Sequence, residues 1–286
     1  MVYEVVRDGD AAWETAPHGD ARQAVLLSAA HGSVHMEVAL VELPAGGTIP
    51  GHMHPFEESF FMLSGAALVA IDGQSYAIDT HDFGFAPVAA AHAWSNPHGS
   101  PARWLRVRAP QPRRIGRTTA TYPRDDQAVP TAGLAPDEAD PRARFVGHFS
   151  DADLGPPGPL AMPGYHGHNI RDISIRMMVD DILGAEHHTL FVVQFAPSGH
   201  GEVLSAKEHF HPFEEIYYLV EGSARGTLDG ETVDVEAGDL VWMGTGSSHG
   251  FVNLGDGPVR WLEVQAPAPP RSHAMFFEDD WKALDT

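Results

Sequence analysis

The chain has 286 residues, with 39 acidic against 18 basic side chains and a formal charge of −21. That balance argues against nucleic acid or an anionic membrane as partner, because such binders draw most of their affinity from lysine and arginine. The absence of cysteine removes disulfide frameworks, thiolate zinc sites, iron–sulfur ligation and cysteine nucleophiles together. A hydrophobic content of 43% over this length suits one or two domains with real cores.

In chain order, residues 1–20 carry Glu4, Arg7, Asp8, Asp10 and Glu14 with no apolar run, so they read as an N-terminal arm without a secretory signal. No later segment approaches the 18 apolar residues of a membrane span, and a cytoplasmic location is expected. Residues 21–112 form a first domain, with expected strands at 34–43, 60–63 and 66–71 and a turn at Asp72-Gly73. Residues 113–169, rich in Pro, Gly, Ala and Asp, read as a linker and approach segment; the basic group Arg113, Arg114 and Arg117 is expected to make salt bridges there. Residues 170–270 form a second domain, with strands at 190–195, 216–220 and 259–264 and a turn at Asp229-Gly230. Residues 271–286 are a tail whose Phe276, Phe277 and Trp281 suggest docking. Many short strands and almost no helical periodicity make an all-β sandwich or barrel the expected class.

The two domains are copies. Residues 52–96 align without a gap on 209–253 at an offset of 157, and the match runs on through Arg103-Trp104-Leu105 against Arg260-Trp261-Leu262 to Ala109-Pro110 against Ala266-Pro267. Upstream the offset is 152, so the second copy holds five extra residues before its motif. Residues 199–208 are therefore longer and could form a lid.

Histidine, at 18 residues, is the other signal, since it is the commonest metal ligand. Side chains two apart on a strand point the same way, so His52 and His54 share a face, and even spacing keeps Glu58 compatible with it. His92, on a different strand, can close the group from across a barrel. The second copy repeats the quartet as His209, His211, Glu215 and His249. Three imidazoles and a carboxylate suit a divalent transition metal, with Fe, Mn or Ni favoured and Zn, Co or Cu admitted, one per domain. An octahedral ion would keep up to two positions open for chemistry.

Gly46, His52, His54, Glu58 and Gly65, followed by Pro87, His92 and Asn96, resemble the two-part pattern of the cupin superfamily, and the second copy resembles it again. The resemblance implies two tandem cupin, or jelly-roll β-barrel, domains. The departures are His81 and Ala89 where the pattern has glycine, Gly244 where it has proline, and Val203 at the leading glycine; they bear on loop shape and remove no ligand. By strand parity, the substrate pocket is expected to include Phe60, Met62 and Trp94 in the first copy and Tyr217, Leu219 and Phe251 in the second, with Tyr217 as the catalytic candidate because of its hydroxyl. Asn96 and Asn253 are expected to brace the motif, while Glu57 and Glu214 have the wrong parity and are expected at a surface or interface. His166 and His168 lack a matching carboxylate and are read as non-ligands; Lys207 and Glu208 are read as a solvated loop.

The cupin fold hosts many chemistries. A dioxygenase-type oxidoreductase acting on a small organic substrate is the leading expectation. The layout is also similar to the (S)-ureidoglycine aminohydrolase family, a manganese two-cupin family, which implies a hydrolase or lyase as the alternative; that family, however, uses Glu, His, His and Gln ligands in its second barrel only. A metal- or small-molecule-binding protein without turnover is the third expectation. Cupin barrels often pair, which implies a homodimer.

Overall fold

The structure of the chain, a computed structural model, describes residues 2–112, 120–136, 145–162, 165–167, 169–197, 205–272 and 274–277. Helix is confined, among these residues, to three 3-10 turns; the rest of the regular structure is strand. The chain divides into two compact units, one built from Ala11–Ser150 and Met178–His187, the other from Met1–Asp10, Asp151–Met177 and His188–Thr286.

In the first unit, a seven-stranded sheet runs in the order Val146–His148, Asp82–Ala86, Glu57–Ser64, Ala102–Ala109, Glu37–Leu43, Arg22–Leu27, Trp13–Thr15. A five-stranded sheet runs Tyr122–Pro123, Thr48–Met53, His92–Ser95, Ala67–Ile71, Gln74–Ile78. Their inner faces meet in one core, where Val41, Phe60, Met62 and Trp104 of the first sheet pack with Ile49, Val69, Ile71 and Trp94 of the second. Trp94 and Trp104 stack at 4.4 Å and 5°, a pairing worth about 0.5–1.5 kcal/mol beyond the area it buries. This is the jelly-roll arrangement that the resemblance implies, within the sandwich or barrel class expected from many short strands.

The second unit repeats it. A six-stranded sheet runs Tyr3–Val6, Leu240–Met243, Glu214–Glu221, Val259–Ala266, Thr189–Phe195, Ile173–Val179, and a five-stranded sheet runs Glu231–Glu236, Ser223–Leu228, His249–Val252, Ala206–Phe210, Phe276–Phe277. Tyr217, Leu219, Phe251 and Trp261 lie in its core.

The turns follow from the sequence. Asp72-Gly73 and Asp229-Gly230 all have positive φ, the two-residue hairpin geometry that Asp-Gly favours because glycine carries no Cβ to clash. The strand expected from residue 34 begins instead at Glu37. Ser33 Oγ donates to the Met36 carbonyl and accepts from the Met36 amide, which holds residues 33–36 in a turn.

Three segments outside the repeats are more than arms and linkers. Tyr3–Val6 hydrogen-bonds along Leu240–Met243, and Val146–His148 takes the matching place beside Asp82–Ala86. Tyr122–Pro123 pairs with Thr48–Met53, and Phe276–Phe277 makes the matching pair with Ala206–Phe210. The aromatic tail thus docks on its own chain, with Phe277 opposite His209 and Phe276 stacked on Phe210. These additions cover sheet edges that would otherwise present unpaired backbone groups. Arg113, Arg114, Arg117, His168 and Trp281 and most of the 199–208 segment lie outside the described residues.

Candidate metal centres

Each centre is assembled across the two sheets of its barrel. In the first, His52 and His92 are directly opposed on neighbouring strands of the five-stranded sheet, His54 lies just beyond the end of one of them, and Glu58 reaches in from the facing sheet. In the second, His209 opposes His249, His211 follows, and Glu215 comes from the six-stranded sheet. The ligand atoms of His52, His54 and His92 lie within 4.8 Å of one another, as do those of His209, His211 and His249. All eight residues are buried.

Backbone carbonyls fix the imidazoles. The Nδ1–H groups of His52 and His92 donate to Pro50 and Ala90 at 2.8 and 3.1 Å. Those of His209, His211 and His249 donate to Lys207, Phe213 and Ser247 at 2.8, 2.8 and 3.1 Å. His54 Nδ1 lies 3.3 Å from the Ala120 carbonyl and 3.2 Å from Thr121 Oγ1. A neutral ring that donates through Nδ1 keeps its Nε2 lone pair free, and an outward hydrogen bond of this kind orients metal-ligating histidines. Burial favours the neutral form of five of them: it pushes His52 and His209 down to about 3, and His54, His92 and His249 also lie below the usual histidine range for the same first reason. The Nε2 atoms of His92 and His249 are buried without any hydrogen-bond partner. A buried orphan costs about 1–3 kcal/mol, which a coordinated cation would offset; the donor set therefore fits a divalent transition metal.

Around the carboxylates the two centres part. Arg108 Nε donates to Glu58 Oε2 at 2.7 Å, and its Nη2 donates to His54 Nε2 at 3.3 Å. Glu37 lies 3.4 Å from both Arg106 and Arg108. Burial opposes ionisation of Glu58, but Arg108, with His92 and His54, outweighs it and holds the carboxyl well below its ordinary range. Arg106 is pushed down to about 10 by burial and by Arg108, and stays cationic at neutral pH.

In the second centre Gln265 Nε2 donates to Glu215 Oε1 at 2.6 Å and to Glu263 Oε1 at 3.1 Å, while Trp261 Nε1 donates to Glu263 Oε2 at 3.0 Å. Tyr217 donates its hydroxyl to Glu215 Oε2, which also lies 2.7 Å from His211 Nε2. Burial, reinforced by the charge on Glu215, raises both Glu263 and Tyr217 well above their ordinary values. Glu215 is the ionised member of the carboxyl pair, because His211 and the surrounding donors outweigh the cost of its burial.

Tyr217 and Phe251 border an apolar cavity of about 30 Å³, together with His209, Glu215, Trp261 and Glu263. Leu219 lies in the surrounding core and does not line that cavity. Phe60, Met62 and Trp94 are all in the core of the first barrel, with Phe60 edge-on to Trp94 at 4.8 Å. Beside His52 a groove of about 440 Å³ is lined by His18, Pro50, Pro123, Arg124 and Gln127.

Asn96 donates to the Leu43 and Ser100 carbonyls and Asn253 to those of Phe195 and Gly257, so both brace loops. Glu57 and Glu214, expected at a surface or interface, are each only 2% exposed. Glu57 accepts from the amides of Glu186 and His187 at 2.7 and 3.0 Å, within its own unit; parity turned it away from the metal face and into a backbone-capping role. The sequence reading missed Arg106, Arg108, Glu263 and Gln265. Their signal was present: three arginines in an otherwise apolar strand, two of them, Arg106 and Arg108, at positions where the offset of 157 puts Glu and Gln.

Among proteins of known sequence, the cupin domain model matches residues 39–108 and 191–265. The chain is 33% identical over 96 residues to the tetracenomycin polyketide synthase protein TcmJ of Streptomyces glaucescens, and 38% identical over 91 residues to the polyketide synthase CurC of Streptomyces cyaneus. These alignments take 33% and 29% of this chain and 61% and 58% of the relatives, so the chain spans about three fifths of the length of the curated relatives it matches. Among solved structures, a Lactobacillus farciminis oxalate decarboxylase in complex with formate is similar with a TM-score of 0.64 at 18% identity, over 98% of this chain and 90% of that one. A Pseudomonas aeruginosa protein described as glyoxylate-induced is similar with a TM-score of 0.66 at 22% identity, over 93% and 89%. At these identities the structural likeness speaks for the fold. Among the described residues no helix is long and apolar enough to cross a membrane. With the domain model matching both halves and the ligand pattern repeated in both barrels, the chain belongs to the cupin family, as a bicupin.

Proposed function

We propose that the protein is a divalent-metal-dependent enzyme of the dioxygenase type, acting on a small organic substrate with the second barrel as its reaction centre. The observation that carries this reading is the cavity beside His209 and Glu215. Its volume, about 30 Å³, is room for one or two molecules of the size of water or O2. Apart from His209, Glu215 and Glu263 its walls are aromatic and aliphatic, with no lysine or arginine among the described lining residues. Such walls suit an apolar gas and the apolar part of an organic ligand better than a small dianion.

A bound divalent metal supplies Lewis-acid stabilisation of a developing anion and, when redox-active, electron transfer to oxygen. The chain's own residues do the rest. His209, His211, His249 and Glu215 hold the ion; the apolar wall excludes water; Tyr217 keeps its proton on the hydroxyl and directs it to Glu215 Oε2. In the same place that hydroxyl can donate to an oxygen atom of a substrate bound beside the carboxylate. A homodimer in a cytoplasmic setting belongs to the same proposal.

Oxygen-electrode traces with a panel of diketones and catechols test it. Uptake that His211→Ala abolishes supports the reading, and absence of uptake across the panel with a fully metallated protein sinks it. One observation favours a second reading, a hydrolase or lyase. Burial and the charge on Glu215 push Glu263 up while its donors hold Glu215 down, and two neighbouring carboxyls pushed in opposite directions are the usual make-up of an acid–base pair. Ammonia release from ureidoglycine, lost in Glu263→Gln, would select it.

A further inference from the structure

The two centres offer a divalent cation different electrostatic surroundings, and the difference is written at three positions of equal register. Arg108 faces Glu58 on one side and Glu37 on the other; Gln265 faces Glu215 and Thr189 in the same way. Arg106 corresponds to Glu263. The first barrel thus surrounds its ligand carboxylate with Glu37, Arg106 and Arg108, two cations against two anions. The second surrounds Glu215 with Thr189, Glu263 and Gln265, which bring a further carboxyl and no cation.

Contact matters more than the tally. Arg108 donates to Glu58 Oε2 and to His54 Nε2, two of the four ligand atoms available to a metal. An arginine guanidinium is a planar, delocalised cation that forks onto two acceptors at once. A cation entering the first centre has to displace that guanidinium from both atoms and then remain close to it. In the second centre Gln265 is neutral and, among the ligand atoms, donates to Glu215 Oε1, while the neutral Tyr217 hydroxyl donates to Oε2, so the ion displaces no cation from the ligand set and meets no like charge behind it.

We propose that Arg108 makes the first barrel the weaker metal site, so that the chain loads its second barrel first and fills the first only at higher metal concentration. Arg108 acts as a positioning residue, a tethered cation that competes for the ligand set. The first centre is therefore conditional, with its occupancy reporting free metal, while the second stays loaded. This rests on the metalloenzyme reading above and adds a loading order to it.

The test uses the full chain, stripped with chelator and titrated with Mn(II), with free ion followed by electron paramagnetic resonance and bound ion by equilibrium dialysis. Two classes of site are expected, separated at least tenfold in Kd, with the tight class missing from His211→Ala and the weak class missing from His54→Ala. Arg108→Gln should tighten the weak class tenfold or more and leave the tight class unchanged. The reverse exchange, Gln265→Arg, should weaken the tight class. Two equal sites, a tight class that disappears with His54→Ala, or an unaltered gap in Arg108→Gln would overturn the proposal. If Arg108→Gln does not fold, the ligand variants and Gln265→Arg decide the matter. No binding of Mn, Fe, Ni or Zn at either centre overturns the functional reading as well, whereas two metals without oxygen uptake overturns that reading alone.

Discussion

The two barrels share a ligand quartet and differ in what stands behind it. At matching positions Phe60 corresponds to Tyr217, Arg106 to Glu263, Arg108 to Gln265 and Glu37 to Thr189. The first barrel has a cation on its carboxylate, a purely apolar ring where the second has a phenol, and a wider groove beside His52. The second has a hydroxyl, a carboxyl whose proton is held more tightly than usual and a small apolar cavity. One fold used twice has kept the atoms that bind and diverged in those that decide how strongly, and toward what chemistry, binding leads. A repeat should therefore be read for the shell around its ligands as closely as for the ligands themselves.

The largest effect that could break this comparison is on turnover. Removing a ligand of the reacting metal abolishes chemistry, so His211→Ala should reduce oxygen uptake by about a thousandfold or more, within the range that electrostatic and metal stabilisation contributes. His54→Ala should leave most of the activity. Equal losses in steady-state assays would show that the barrels act as one, and the reverse order would place the chemistry in the first.

Acid stability separates the barrels next. For His52, His54 and His92 in the first, and His209 and His249 in the second, the folded protein holds the ring neutral while the unfolded chain protonates near 6.5. Lowered folded values mean that the unfolded state binds the extra protons, so stability falls as pH drops below about 6.5, by up to about 1.4 kcal/mol per pH unit for each histidine. Glu263 has the opposite sign. Its raised value leaves it protonated when folded, so its contribution is full below the unfolded carboxylate range and is lost as pH rises above it. Going from pH 7 to pH 5 therefore costs the first barrel its three ligand histidines and the partly exposed His18, with relief only from Asp82, which burial also raises, whereas the second barrel loses two histidines with relief from the fully buried Glu263. Pulse proteolysis of metal-free protein, with fragments read by mass spectrometry, should show the first barrel cut at higher pH. Simultaneous loss of both would contradict the assignment.

A smaller change sharpens the same contrast at one atom. Tyr217→Phe gives the second barrel the ring that Phe60 gives the first, removing the hydroxyl from Glu215 Oε2 without altering the packing against Phe251 and Trp261. A hydrogen bond to a charged group is worth about 1.5–3 kcal/mol, so kcat should drop roughly ten- to a hundredfold. An unchanged kcat with a raised KM would assign the hydroxyl to substrate binding alone.

What the sequence made legible is what periodicity and spacing carry. The hairpins at Asp72-Gly73 and Asp229-Gly230, both quartets and the doubled fold follow from turn chemistry, strand parity and a constant offset, all local or repeated signals. What it hid depends on pairings between distant segments. Nothing near Tyr3 says that it will lie beside Met243, and nothing near Val146 says that it will close the sheet at Gly84. Arg108 and Gln265 escaped notice for a related reason. Their roles arise from facing Glu58 and Glu215 across a strand pair, a register that hydrophobic alternation does not specify for a polar side chain.

The smallest expected effect concerns the two places where the first copy departs from glycine. His81 and Ala89 have φ of 73° and 64°, and their counterparts Gly238 and Gly246 have 98° and 80°. The backbone thus keeps its left-handed turn even though the residue has changed, and the first barrel bears the strain. The turn matters because the Ala89 amide donates to the His54 carbonyl at 2.8 Å, as the Gly246 amide does to that of His211 at 3.0 Å. A residue with a Cβ in this region costs about 1–2 kcal/mol, partly offset by the lower entropy of its unfolded chain. Nothing lies within 4 Å of a Cβ built on Gly246, so the backbone alone sets the cost there. Gly246→Ala should therefore lose about 1 kcal/mol and Ala89→Gly gain up to about 1 kcal/mol, shifts of roughly 2–4 °C in Tm by calorimetry. Opposite signs in the two exchanges would show that both copies share one turn under different local strain, whereas a loss in both would mean that each barrel has adapted its packing to its own residue.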